Sequence, residues 1–263
     1  MIDLHCHILP GIDDGAKNLD DVREMLASAK ADGISKIVAT PHNMEDGIGI
    51  VSPFVINSLV KRVNDISQSE GYGIEVFPGS EAYISTDLPR LVKNKRILTI
   101  NGTQYLLVEF PVLKMPEFAV DIIYQLRLMG ITPIIAHPER YAAVVDNPDV
   151  LLEFIRIGAL CQVNSGSITG IFGKMVKKTA EMLLQRKMVH IVSTDAHPGS
   201  SRMPRMKEAY EFVADKLGRD YSNEVFIENP AKIIKGREIE IRQPEKVERR
   251  TLLYNLLASF GLL

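Results

Sequence analysis

Seven short apolar runs recur along the chain, and between them apolar residues fall three and four positions apart. The runs are MIDLHC at 1–6, SKIVAT at 35–40, IEVFPG at 74–79, YLLVEF at 105–110, TPIIA at 132–136, ALCQV at 159–163 and HIVST at 190–194. Such runs, buried on both faces and alternating with helices, predict βαβ units and a parallel sheet. The first intervening helix has Asn18 to cap it, Asp20 and Asp21 at its positive end, Val22, Met25, Leu26 and Ala29 on one face, and Gly33 to stop it. A second stripe, Phe118, Ile122, Leu126 and Met129, is expected to pack in the core. Residues 43–60, with glycines and a proline, predict a loop leading into a helix.

No linker or internal repeat interrupts this rhythm, so the 263 residues predict a single domain, 1–263. Seven βα units are compatible with a seven-stranded or incomplete barrel and with an open doubly wound sheet. The tail from about residue 245 pairs a basic stretch with an apolar end of about a dozen residues, too short to span a bilayer. Docking onto the body, a contact between subunits of a homo-oligomer, and peripheral membrane association are its three readings.

The polar residues that break the pattern cluster at one end of the predicted strands. His5 and His7 end the first run, His42 follows the second, His137 the fifth and His197 the seventh. Asp14 follows the first run in GIDDG, Glu81 follows the third, Glu109 ends the fourth and Asp195 ends the seventh. The carboxyl edge of a parallel sheet is where connecting loops converge on ligands. Side chains two apart on a strand share a face, so His5 and His7 are expected to point together into the mouth, with Cys6 turned toward the helices. Asp195 and His197 form the same kind of pair. His190 begins its run at the opposite edge and is expected to be structural.

Nine imidazole and carboxylate donors exceed what one ion needs and suit manganese, iron, zinc or cobalt. Two or three ions are implied, with a carboxylate such as Glu81 bridging a pair, an arrangement suited to hydrolysing a phosphate ester. Arg140, three residues after His137, and Arg202, five after His197, are the candidates for binding phosphate, with Arg205 competing.

Composition narrows the alternatives. Thirty-one basic against 33 acidic side chains leave a net charge of -2, which supplies no basic field for nucleic acid. No run resembles a signal peptide or a spanning helix, and a cytoplasmic protein is expected. Two cysteines, Cys6 and Cys161, form neither a framework nor a CxxC pair. Ile12 and Ser167 stand where a C-x5-R phosphatase loop needs arginine, which excludes a cysteine nucleophile. NSGSITG at 164–170 is neither a P-loop nor GxSxG and predicts a tight strand-to-helix turn.

In this order, DLHCHILPGIDDG, ATPH, GSE, VEFP, IAHPER and STDAH resemble the polymerase and histidinol phosphatase (PHP) superfamily. More closely, they resemble bacterial tyrosine-protein phosphatases of capsular and exopolysaccharide synthesis, of the CpsB, CapC and YwqE type; SGSITGIFGK and the late RQP carry this through almost the whole chain. The resemblance implies a distorted seven-stranded TIM-like (β/α)7 barrel of the PHP type and a manganese-dependent hydrolase of phosphotyrosine that uses metal-activated water. It implies one ion at His5, His7, Glu81 and Asp195, a second at Glu81, Glu109 and His137, and a third at Asp14, His42 and His197. Arg140 and Arg202 would face the phosphate, and these two with Asp14, His42 and His197 would carry the catalytic role. Iron, cobalt, zinc and magnesium are the alternative ions. The partner implied is the tyrosine-rich tail of a bacterial tyrosine autokinase. A PHP-type small-molecule phosphatase such as histidinol phosphatase, a nuclease, and a non-enzymatic metal-binding scaffold are the competing readings.

Overall fold

The first predicted helix forms as its cap and stripe require. In a computed structural model describing residues 1–43, 49–199 and 201–241, β1 (Ile2–Cys6) leads into α1 (Leu19–Ala31). The Asn18 side chain accepts from the backbone N–H groups of Asp20 and Asp21, and Val22, Met25, Leu26 and Ala29 are buried. The chain continues through β2 (Lys36–Ala39), β3 (His42–Asn43), α2 (Pro53–Ser69), β4 (Glu75–Pro78), β5 (Glu81–Tyr83) and α3 (Leu88–Lys93). Then come β6 (Tyr105–Glu109), α4 (Ala119–Leu128), β7 (Thr132–Ala136), α5 (Ala142–Asp146), α6 (Val150–Arg156) and β8 (Leu160–Asn164). The described chain ends with α7 (Ser165–Thr169), α8 (Lys174–Gln185), β9 (Ile191–Ser193), α9 (Lys207–Leu217), α10 (Arg219–Asn223), a π-helical turn at Glu224–Glu228, and α11 (Asn229–Ile234). The tail from about residue 245, the RQP stretch and residues 44–48 of the expected loop lie outside the described residues.

Every strand pairing is parallel, as the buried runs require, but the described residues form nine strand segments rather than seven. They lie in two sheets, ordered β1-β2-β4 and β3-β5-β6-β7-β8-β9. The second and third runs each break in two and serve both sheets. Pro41, which has no N–H for a ladder, interrupts one run. Gly79 interrupts the other, where a Cβ would stand 2.8 Å from Val38 Cγ1 and 3.4 Å from the Ala39 carbonyl oxygen. The two breaks therefore pack side by side. On the far side, the Asp195 N–H donates to the His5 carbonyl at 2.8 Å and the His7 N–H to that of Ala196 at 2.9 Å.

Alternation along the strands builds two cores. Ile37, Leu106, Val108, Ile135, Cys161, Val163 and Val192 face the helices, whereas Ile2, Leu4, Val38, Tyr105, Leu107, Ile134, Ala136, Leu160 and Ile191 form a second cluster to which both sheets contribute. Ile100, Ile233 and Ile234 also belong to this inner cluster. The expected α4 stripe needs correction at its ends. Ile122 and Leu126 are buried, but Phe118 and Met129 flank the helix and are exposed, because the helix is only ten residues long. His190 is structural as expected: its Nδ1 accepts from the Cys161 N–H at 3.1 Å, and burial pushes its pKa down to about 4.

Candidate metal centre

The inner face of the strands turns from apolar to polar along their length. Tyr105 and Leu107 are followed in phase by Glu109, Leu160 by Gln162 and Asn164, and Ile191 by Ser193 and Asp195. On β1 the phase is reset. Pairing with β2 runs Ile2 to Lys36 and Asp3 to Ile37, then Cys6 to Ala39, a shift of one residue. Strict alternation from Ile2 and Leu4 would have sent Cys6 inward and both histidines toward the helices. Beyond the shift, Cys6 lies in the outer core, and the Nε2 atoms of His5 and His7 stand 3.2 Å apart. A bulge of this kind re-aims side chains.

Glu81, buried at the start of β5, is the hub. Its Oε2 lies 3.0 Å from His5 Nε2, 3.2 Å from His7 Nε2 and 3.2 Å from His42 Nδ1. Its Oε1 lies 3.0 Å from His137 Nε2, which is also 3.5 Å from Glu109. Asp195 Oδ1 stands 3.7 Å from His5 Nε2 and 3.6 Å from His7 Nε2. At the open edge, Asp14 Oδ1 is 3.0 Å from His197 Nε2 and 3.5 Å from His42 Nε2. Three sets of donor atoms lie close enough to share an ion: His5, His7 and Glu81; His42, Glu81 and Glu109; and His7, Asp14, His42 and His197. His42 thus stands between two sets.

The hydrogen bonds behind these side chains fix their protons. The Asp195 carboxylate only accepts, so Asn164 presents its amide Nδ2 to Oδ2 at 2.9 Å and its Oδ1 to Gln162 Nε2 at 2.8 Å. Gln162 Oε1 therefore faces His5 Nδ1 at 2.9 Å, and that nitrogen is the donor. His7 Nδ1 donates to Asp13 Oδ2 at 2.8 Å, and His197 Nδ1 to the Asp195 carbonyl at 3.1 Å. In the neutral rings, the Nε2 atoms of His5 and His7 then turn lone pairs toward each other and toward a carboxylate oxygen. Glu81 Oε2 is buried and makes no hydrogen bond of acceptable angle despite three nitrogens around it. Only positive charge reconciles so many acceptors, and this donor set, with its outer partners in place, fits a divalent ion. Without an ion, protons substitute. Burial opposes charging His5, but Glu81 and Asp195 outweigh it and raise its pKa; the same balance, with Asp13 and Glu81, raises that of His7 well above the usual imidazole range. Burial likewise opposes ionising Glu81 and Asp195, yet the surrounding histidines hold both carboxyls low.

The two arginines meet on Asp195. Arg140 NH1 donates to Oδ2 at 2.9 Å, and Arg202 NH2 to Oδ1 at 3.0 Å. Arg205 is exposed; it lines a cleft with Arg202 and Phe172, and its backbone carbonyl accepts from Ser165 Oγ. His137 and Asp195 both take left-handed backbone, at φ 30° and 52°, conformations costly for a residue with a Cβ and typical of sites where side-chain aim matters.

Asp13, Gln162 and Asn164 were not among the residues expected in the site. Asp13 and Asp14 are adjacent in GIDDG, but the Asp13 side chain is fully buried behind His7, whereas that of Asp14 is 60% exposed at the edge. Gly15 permits the fold-back, since a Cβ there would meet the His7 carbonyl oxygen at 2.1 Å. Gln162 and Asn164 carried a signal in CQVN, two polar positions with the same spacing as His5 and His7. Replacing Asp13 with Ala or Gln162 with Leu is expected to weaken metal affinity or activity by roughly 10–100-fold, because the imidazole loses its orienting acceptor. Titrating kcat/KM against added metal measures this; an unchanged titration would show that these contacts orient nothing.

Residues 1–235 match the family described as capsular polysaccharide synthesis, CpsB/CapC. Tyrosine-protein phosphatase YwqE of Bacillus subtilis is 34% identical over 252 residues, covering 96% of this chain and 98% of that protein. Tyrosine-protein phosphatase CpsB of Streptococcus pneumoniae is 33% identical over 239 residues, covering 89% of this chain and 98% of that protein. A solved structure described as YwqE from Bacillus subtilis and CpsB from Streptococcus pneumoniae, metal-dependent tyrosine phosphatases, superposes with a TM-score of 0.90 at 34% identity over 95% of this chain and 100% of that one. Histidinol phosphate phosphatase of Lactococcus lactis shares the fold alone, with a TM-score of 0.55 at 12% identity over 86% of this chain and 94% of that one. The order of the site motifs, the fold and the extent of these matches have one common explanation: the chain belongs to the CpsB/CapC family.

Proposed function

We propose that the protein is a metal-dependent phosphomonoesterase that removes phosphate from phosphotyrosine in proteins. The observation that carries this reading is Glu81 Oε2, buried among three imidazole nitrogens with no hydrogen bond, beside an Asp195 that holds two arginines. His5, His7, Glu81 and Asp195 would hold one ion, Glu81, Glu109 and His137 a second, and Asp14, His42 and His197 a third. Manganese is the expected metal, two or three ions per chain. Ions held there supply Lewis acidity toward phosphoryl oxygens and make water a nucleophile at neutral pH. Arg140 and Arg202 each bring one guanidinium nitrogen to the same carboxylate from two loops, and so converge where a phosphoryl group with several oxygens can be gripped. The leaving phenolate of tyrosine has a conjugate-acid pKa near 10 and departs with little help from a general acid, unlike an alkoxide.

For architecture, counting β2 with β3 and β4 with β5 as single bent strands makes seven, and the Cys6 to Ala196 backbone bridge joins the remaining edges. That count supports a distorted seven-stranded barrel of the PHP type, in one domain. We take the substrate to be the tyrosine-rich tail of a bacterial tyrosine autokinase in the cytoplasm. Among the described residues, no helix is long and apolar enough to cross a membrane.

Protein loaded with manganese, cobalt, zinc or magnesium in turn is expected to release phosphate from a phosphotyrosine peptide far faster than from histidinol phosphate or a phosphoserine peptide, and to leave single-stranded DNA intact. Preferred turnover of histidinol phosphate would transfer the reading to small-molecule substrates. Full metal occupancy with no turnover of any ester, together with retained binding of the peptide, would favour a scaffold.

A further inference from the structure

Phe172 lies outside the set of ligands, yet both arginines rest on its ring. The Arg140 Cζ stands 5.3 Å and the Arg202 Cζ 5.8 Å from the ring centroid, within the range at which a guanidinium is attracted to an aromatic face. The two arginines come from different loops, after β7 and after β9, and Phe172 from a third, after β8. The Nε of Arg202 is buried with no hydrogen-bond acceptor, which leaves Asp195 and the ring to orient that guanidinium. We propose that Phe172 is a positioning residue, which holds Arg140 and Arg202 in the orientation that binds the phosphate of the substrate. The inference rests on the phosphomonoesterase reading.

The local fold pins the ring. β8 passes into α7 without a loop residue, and α7 closes with Gly170 at φ 95°, its N–H bonded to the Gly166 carbonyl at 3.0 Å and that of Ile171 to the same oxygen at 2.8 Å. Gly173, at φ 92°, follows Phe172 and caps the start of α8. Between these two turns the ring is seated on Gly166, where a Cβ would come within 2.9 Å of Phe172 Cε2. Glu139, next to Arg140, anchors the same segment by accepting from Ser167 Oγ at 2.6 Å and the Asn164 N–H at 2.9 Å. The turn that carries Arg140 and the turn that carries Phe172 are thus tied through buried contacts.

A second holder matters because Asp195 has other calls on its charge. Its carboxylate also faces His5 and His7 and accepts from Asn164. Two guanidinium groups around one carboxylate repel each other, and an aromatic ring within reach of both offers attraction without adding a competing anion. Oxyanion binding depends on donors already aimed before the anion arrives, and that orientation is what the ring supplies.

The test uses metal-loaded full-length protein and inorganic phosphate as the probe. Phe172→Leu keeps an apolar side chain and removes the π face; it is expected to raise the inhibition constant of phosphate, and KM for a phosphotyrosine peptide, by roughly 5- to 30-fold. Metal content and thermal midpoint should not change. Phe172→Tyr restores both constants, and Gly166→Ala reproduces the loss by displacing the ring. In an Arg140→Ala, Arg202→Ala background the Phe172→Leu change is expected to have no further effect, since its action passes through the arginines. The NMR order parameters of the Arg140 and Arg202 Nε–H vectors should fall in Phe172→Leu whether or not the protein turns over any ester. Unchanged phosphate inhibition with unchanged arginine order, or an equal loss in the arginine-free background, overturns the assignment. Absence of all phosphate binding in the unaltered protein, with the arginine order still dependent on Phe172, counts against the phosphomonoesterase reading and not against the positioning.

Discussion

Chelating the metal is expected to abolish phosphotyrosine hydrolysis and to lower the thermal midpoint by about 5–10 °C relative to protein held at roughly 100 times the metal's dissociation constant, with manganese restoring both. The size follows from linkage, since an ion bound only by the folded chain stabilises it by about 2.7 kcal/mol at that concentration. At a fixed metal concentration the gap should widen as pH rises. In the stripped protein, His5 and His7 have pKa values raised above those of the unfolded chain, so their stabilisation is complete below the ordinary imidazole range and is lost as pH climbs through the folded values. Glu81 and Asp195 have depressed values, and their contribution is lost only in acid. Metal binding has the opposite dependence, because imidazole must be neutral to coordinate. Calorimetric scans of loaded and stripped protein between about pH 6 and pH 8 measure both limbs. Turnover that survives exhaustive chelation would sink the metal-dependent reading, and a gap that narrows with pH would mean that the imidazoles are not the ligands.

Replacing Glu81 with Ala is expected to cost more than the roughly 10–100-fold that follows loss of an outer-shell partner, and to remove metal as well as rate. Within 3.2 Å of its two oxygens lie nitrogens of four imidazoles, those of His5, His7, His42 and His137. Four imidazoles would then crowd a space without their shared anion. Glu81→Gln keeps one oxygen and loses the charge, so it should fall between the unaltered protein and Glu81→Ala. Elemental analysis alongside kcat measures the effect. Full metal content with kcat within tenfold of the unaltered protein would refute Glu81 as the shared ligand.

The legible part of the site was its chemistry. His5, His7, Glu81, Glu109, His137 and Asp195 end or follow runs whose composition already marks them as buried strands, and parallel strands leave their carboxyl ends at one mouth. The support behind those ligands was not legible. Gln162 and Asn164 are uncharged and sit in a run that is otherwise core, and only the Asp195 to Asn164 to Gln162 to His5 chain of hydrogen bonds shows that they set a proton on an imidazole. In GIDDG nothing local distinguishes Asp13 from Asp14, because which carboxylate is buried depends on the fold-back against His7. The ends of the α4 stripe failed for a different reason. Helical spacing continues past the point where the helix stops, so Phe118 and Met129 kept the period without the burial.

By itself the sequence determined the alternation of strands with helices, the parallel pairing and the donor types at the strand ends, since these follow from local periodicity and residue chemistry. Tertiary structure alone decided which way those donors face. Alternation from Ile2 and Leu4 would have turned His5 and His7 away from the mouth, and a one-residue shift in the pairing of β1 with β2 brings them back. That shift is a property of two strands and not of either one. The same holds for the convergence of Arg140, Arg202 and Phe172, which lie on three loops and meet only when the sheet sets the loops side by side.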